Sequence, residues 1–317
     1  MSKKTFAPAS LAAQAMGWVD PATRAVVPPI HMASTYLRDE DNAYRSGRVY
    51  ARADNPTFDH AETTLAALEG GVKALIFSSG MSAATACFLA LAPGDHVVAS
   101  KVMYWALRNW LLTFATQWGL EVEFVDADRN DAVAAAVKPG KTKLVWIESP
   151  ANPTWCVADI AAIAAIAHKA GALLGVDSTV ATPVLTRPIE HGADIVMHSA
   201  TKYLNGHSDL IAGALVGARE DAYWAKLRTI RAQLGTVMGQ HEAWLLLRGM
   251  RTLFPRVAWA CRSAQSLAER FAAHPMVSEV LYPGLPGFAG HATAARQMKG
   301  GFGGMLSVRV KGGERAA

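Results

Sequence analysis

The sequence predicts an α/β protein built on a mainly parallel sheet with helices on both faces. Three observations carry this. From about residue 60 to residue 216, short apolar runs bounded by turn residues alternate with longer segments of helical periodicity. Several runs end beside a carboxylate, a hydroxyl or a lysine, where sheets of this kind present ligand-binding groups. Hydrophobic residues make up 51% of the 317 and charged residues only 18%, which permits a large core and argues against disorder.

Taken in order, residues 1–49 contain Pro28, Pro29 and polar turn residues with little periodicity, and read as an extended arm that packs on something else. Strands are expected at 74–77, 96–99, 122–125, 143–147, 172–176, 195–198 and 213–216, and helices at 82–91, 104–118 and 160–170. Near Gly235 the character changes. Helices are expected at 242–250 and 257–273, and strands at 280–282 and 305–310. The expected organisation is an arm over 1–49, a large domain over 50–235 and a smaller C-terminal α/β domain over 236–317.

The net charge of +5 is mild, and Lys and Arg are scattered rather than blocked. No basic stripe with nucleic-acid-reading motifs is present, so nucleic acid is not an expected partner. Cys87, Cys156 and Cys261 are far apart and odd in number, with no C-x-x-C, which suggests neither a disulfide framework nor a zinc site. No metal is expected. The N-terminal lysines are not followed by an apolar run, and the Ala-rich stretch 160–167 is too short to span a bilayer. A cytoplasmic protein is the expectation.

Three clusters carry chemistry. In His198-Ser199-Ala200-Thr201-Lys202-Tyr203 a lysine follows a strand end beside two hydroxyls. Partial desolvation there would lower the lysine's pKa and free its amine to attack a carbonyl, and Ser199 and Thr201 could donate to a phosphate. In Gly175-Val176-Asp177-Ser178-Thr179 a carboxylate ends an apolar strand, a position suited to pairing with a protonated ring nitrogen. In Ser78-Ser79-Gly80-Met81-Ser82 small residues open a helix whose first N–H groups can bind an anion. Each cluster alone also reads as ordinary structure: a solvated lysine, a capping aspartate, a plain strand-to-helix turn.

Their order and spacing resemble the cystathionine synthase and lyase family of pyridoxal-phosphate (PLP) enzymes, the trans-sulfuration family. The resemblance is carried by YARADNPT, SSGMSA, ESPANP, VDSTVATP, HSATKYLNGHSD, LLLRGMRTL and GHATAARQMKGGFGGMLS, and runs from about Pro28 to the last residue. It implies the fold of type I PLP enzymes, related to aspartate aminotransferase. It implies that Lys202 bonds covalently to the cofactor, that Asp177 faces the pyridine nitrogen, and that Gly80, Met81, Ser199 and Thr201 hold the phosphate. Tyr104 matches the tyrosine that stacks on the ring and assists proton transfer, and Asn152 the asparagine near the ring hydroxyl. Tyr50 and Arg52 match residues that reach the phosphate of a neighbouring subunit, so a homodimer or homotetramer with shared sites is implied. The substrate implied is a small amino acid, not a macromolecule or a membrane lipid.

Two local departures stand out: Trp105 and Ala106 follow Tyr104 where small residues are common, and Ser178 follows Asp177 in place of asparagine. The family pattern also continues past Ala317 to a serine-leucine-glycine motif and an arginine for the substrate carboxylate, so the C-terminal domain is expected to be incomplete. The motifs look most similar to cystathionine γ-synthase or γ-lyase, with β-lyase the near alternative. An alternative of another class is a catalytically impaired PLP-binding remnant. A nucleotide-binding Rossmann protein is disfavoured because no G-x-G-x-x-G follows the first strand.

Overall fold

The structure, a computed structural model, describes residues 6–52 and 54–313. Residues 1–5 of the expected arm, Ala53 within YARADNPT, and the tail 314–317 lie outside the described residues. Among the described residues, nine strands follow one another: β1 Lys73–Phe77, β2 His96–Ser100, β3 Glu121–Val125, β4 Thr142–Glu148, β5 Leu173–Asp177, β6 Ile195–His198, β7 Gly213–Gly217, β8 Val277–Leu281 and β9 Ser307–Val310. The first seven are ordered β1-β7-β6-β5-β4-β2-β3, and β8 and β9 form a separate pair. Contacts divide the chain into two discontinuous compact units, Met1–Ala90 with Met197–Phe254, and Leu91–Val196 with Pro255–Ala317. Gly235 ends the helix Ala222–Leu234 in the left-handed conformation.

In the first unit, β1 pairs antiparallel with β7, Leu75 opposite Leu215. The helix Pro56–Glu69 packs on β1 and on the helix Gln240–Met250. Its start is written in sequence: Asn55 caps the Thr57 N–H, Pro56 needs no donor at the first position, and Gly70 stops the helix at φ 73°. Phe58, Ala61, Leu65 and Leu68 fall on one face and are buried. Burying each large side chain contributes roughly 1.5–3 kcal/mol. The backbone of β1 is met on its outer side by a buried ion pair. Glu62 accepts the Ile76 N–H at 3.0 Å, and Arg231, 2.6 Å from Glu62, donates to Ile76 O at 3.0 Å. The two side chains thus satisfy backbone groups that a neighbouring strand would otherwise take up.

In the second unit, β3, β2, β4 and β5 run parallel. β2 is buried throughout, as its central Val97-Val98-Ala99 run suits in a strand covered on both faces. Gly175 in β5 lies against Trp146 of β4; a Cβ there would come within 2.7 Å of the indole. The helix Ile160–Lys169, capped by Asp159 on the Ala162 N–H, packs on β5. The helix expected over 104–118 begins at Trp105 and contains a π-helical turn at Leu111–Ala115. β8 and β9 pair antiparallel beside a small core of Ala264, Ala268 and Tyr282.

Candidate active site

The residues singled out from the sequence fall in both units, and each set is built by its own unit. In the first, β1 ends at Phe77 and the chain turns through Ser78 into the helix Gly80–Leu89. A capping box closes its start: Ser79 Oγ accepts the Ser82 N–H at 3.0 Å and Ser82 Oγ accepts the Ser79 N–H at 3.1 Å. Among the described residues, the N–H groups of Gly80 and Met81 have no protein acceptor. They are first-turn donors of the kind that bind anions. Two glycines make this turn possible. A Cβ on Gly80 would lie 3.0 Å from Ser199 Oγ, and a Cβ on Gly213 of β7 would lie 2.0 Å from Ser79 O. The place beside Gly213 has no room for a side chain, while at Gly80 Ser199 would have to give way by a few tenths of an ångström.

The Lys202 loop begins where β6 ends at His198. Several of its hydrogen bonds are internal. Lys202 N–H donates to Ser199 O at 3.0 Å, Asn205 N–H to Ala200 O at 3.0 Å, and Gly206 N–H to Lys202 O at 2.7 Å. The Asn205 amide donates to Asp209 at 2.8 Å, and His207 Nδ1 donates to Asn205 O at 2.7 Å. The second half of the motif therefore shapes the loop that presents the first. Thr201 Oγ donates to Ala212 O at 3.1 Å and accepts the Ala212 N–H at 2.9 Å, which ties the loop to the chain entering β7. The desolvation expected for Lys202 is not what the single chain presents: the side chain is exposed, because it lies beyond the buried end of β6 in an open loop. Tyr50 and Arg52 are also exposed, and the Arg52 guanidinium lies 5.7 Å from the centre of the Tyr50 ring.

Sequence reasoning missed one pair here. Glu69, at the end of the helix Pro56–Glu69, and His198 are both buried, with Oε1 and Nε2 2.6 Å apart. The pair anchors the end of β6 directly before Ser199. Nothing local marks it, because 129 residues separate its members.

In the second unit, Glu148 and Asp177 stand side by side at the C-terminal ends of β4 and β5. Asp177 is buried, and its Oδ1 accepts the Thr179 N–H at 3.0 Å and the Thr179 hydroxyl at 2.6 Å. Glu148 was not singled out from the sequence. Its Oε2 accepts the Tyr104 N–H at 2.8 Å and its Oε1 the Asn152 N–H at 3.2 Å. Burial, followed by the neighbouring Asp177 charge, pushes Glu148 up to about 8, against the pull of the two N–H donors. Tyr104 and Asn152 are exposed, so a single carboxylate holds the backbone of two residues whose side chains are open to a ligand. The signal for Glu148 was present: like Asp177, it is a carboxylate ending an apolar run, four residues before Asn152.

An anion-binding helix start with an adjacent hydroxyl, a lysine loop after a buried strand, and Tyr, Asn and carboxylate groups at the ends of parallel strands define the class: a PLP enzyme of the α/β type. The chain belongs to the Cys/Met metabolism PLP-dependent enzyme family, whose model matches residues 9–317. It is 45% identical over 98% of its length to a cystathionine gamma-synthase of Mycobacterium bovis, of which it covers 79%. It is 40% identical over 93% of its length to the cystathionine beta-lyase MetC of Bacillus subtilis, of which it covers 75%. The crystal structure of cystathionine gamma synthase from Xanthomonas oryzae pv. oryzae, in complex with aminoacrylate and cysteine, matches 99% of this chain with a TM-score of 0.92 and 38% identity, over 80% of that chain. The fold is therefore that of type I PLP enzymes, and the chain is a PLP-dependent enzyme of carbon–sulfur bond chemistry. The residues present fit a phosphorylated cofactor: the free first-turn N–H groups and the close approach of Gly80 to Ser199 suit a phosphate. Among the described residues, no helix is long and apolar enough to cross a membrane.

Proposed function

We propose that this enzyme makes or breaks the bond between sulfur and the γ-carbon of a homoserine-derived amino acid, as a cystathionine γ-synthase or γ-lyase does. The observation that carries this reading is the 45% identity to a γ-synthase over nearly the whole chain. The cleavage of cystathionine at its β-carbon is the second reading, favoured by the 40% identity to a β-lyase.

Bound PLP supplies an electron sink for the negative charge left when the substrate loses its α-proton. The protein's residues do the rest. The Gly80 and Met81 N–H groups and the Ser199 and Thr201 hydroxyls hold the phosphate; Thr201 does so by turning its O–H away from Ala212 O. Lys202 Nζ would hold the cofactor covalently and, as a free amine, would move the α-proton. Asp177 keeps the ring nitrogen protonated. Tyr104 offers a flat face to the ring and a hydroxyl for proton transfer, and Asn152 donates to the ring oxygen without adding charge. Tyr50 and Arg52 reach the phosphate held by a neighbouring subunit, Arg52 through its forked donors. The arm over 1–49 joins the same contact, which makes a dimer the smallest working unit and a dimer of dimers the expected assembly. The arm's apolar side chains support this, for Leu37 is 95% exposed and Met32 72% in the single chain. The enzyme works in the cytoplasm.

The keto acid released from L-cystathionine separates the readings. Release of 2-oxobutyrate with cysteine places cleavage at the γ-carbon; release of pyruvate with homocysteine overturns that in favour of the β-lyase reading. Synthesis of cystathionine from an O-activated homoserine and cysteine marks a γ-synthase.

A further inference from the structure

Glu148 has no counterpart among the roles assigned above, yet it touches two of the residues that carry them. Its side chain ends β4 and divides its oxygens, one to the N–H of Tyr104 and one to the N–H of Asn152, at 2.8 and 3.2 Å. Tyr104 is the residue from which the helix Trp105–Trp110 starts, and its own side chain makes no cap there. Asn152 lies in the turn after β4, between the cis peptides Ser149–Pro150 and Asn152–Pro153. Loops of such different origin have no sequence-local reason to keep a fixed spacing. The two bonds from one carboxyl group provide that reason.

We propose that Glu148 is a positioning residue that sets the seats of Tyr104 and Asn152 together, so that the group stacking on the cofactor ring and the group donating to its oxygen keep a common register. It acts through those two residues and touches no reacting atom. Its half-buried position strengthens both bonds, since a hydrogen bond is electrostatically stronger in a low-dielectric site than in water. Burial, and after it the neighbouring Asp177 charge, raises the proton affinity of Glu148, while its two N–H donors pull the other way. This inference rests on the PLP roles proposed for Tyr104 and Asn152.

The test is the visible circular dichroism of the bound cofactor, a signal set by how the ring sits among its neighbours. It is measured with the PLP dissociation constant on the wild type, Glu148→Ala and Glu148→Gln. Glu148→Ala, which removes both acceptors, is expected to lose at least half of the visible ellipticity and to bind PLP about tenfold more weakly. Glu148→Gln keeps one oxygen acceptor and should recover part of both, the partial rescue that a space-filling role would not produce. Wild-type ellipticity and affinity in Glu148→Ala overturn the proposal. If Glu148→Ala does not fold, the same wild-type values in Glu148→Gln overturn it. A wild type that takes up no PLP at all defeats the underlying site assignment instead, and so is told apart from failure of the positioning role.

Discussion

At the scale of the residue, the two carboxylates ending β4 and β5 divide the labour by environment. Asp177 is satisfied by Thr179, while Glu148 faces burial and a like charge. Because its folded pKa, about 8, lies above the unfolded value of 4.5, Glu148 holds its proton more tightly in the folded chain. Its effect on stability is favourable below the unfolded pKa and is lost as pH rises through the folded one. The melting temperature of the cofactor-free wild type, relative to Glu148→Gln, should therefore fall between about pH 4.5 and 8 and be level outside that window. A constant difference across the window would contradict the raised pKa. Much of the candidate site was legible at this scale as local pattern. Lys202, Asp177 and Gly80 each stood at a strand end or helix start, where the local pattern singles out a polar residue. Glu148, Glu69 and His198 went unread as partners because their value lies in long-range pairing, 44 residues to Tyr104 in one case and 129 between Glu69 and His198 in the other. The exposure of Lys202 was likewise invisible, since a strand end does not reveal how its loop opens.

At the scale of the element, the buried strands were the easiest to read. β2, β4, β5 and β6 are apolar because helices or neighbouring strands cover them, so composition alone outlines them. The helices Pro56–Glu69 and Ala222–Leu234 were not anticipated. Their periodicity is diluted by Asp, Glu, Thr, Lys and Arg residues, though Asn55-Pro56 and Asp221 were cap signals on offer. The antiparallel pairing of β1 with β7 is a tertiary choice that neither strand's sequence expresses. Element packing also shapes the proposed anion site, through the approach of β7 to the Ser79 turn. Gly213→Ala would place a methyl group 2.0 Å from Ser79 O, so the turn must shift. The variant should lose about 1–3 kcal/mol of stability, the usual cost of overpacking, and bind PLP more weakly. Urea unfolding and cofactor titration measure the two effects; wild-type values in both would mean that the helix start is not fixed by this contact.

At the scale of the whole molecule, the candidate residues are distributed over both compact units, each set built by its own unit. The proposed subunit sharing makes a prediction that single chains cannot satisfy. Arg52→Ala and Lys202→Ala should each be nearly inactive alone, yet mixed hetero-oligomers should regain activity, because one subunit then carries an intact Lys202 and its neighbour an intact Arg52. No recovery in hetero-oligomers demonstrated by mass would argue that each site is built by one chain.

The central claim is that this chain holds PLP on Lys202 and uses it on a sulfur amino acid. The most direct measurement is the visible absorption spectrum of the purified protein with PLP, recorded before and after L-cystathionine is added, alongside that of Lys202→Ala. The expected result is a yellow band that changes on addition, with keto acid released, and a variant that lacks both the covalently held cofactor and the turnover. A wild type with no such band in the presence of PLP, or a Lys202→Ala variant with normal turnover, would contradict it.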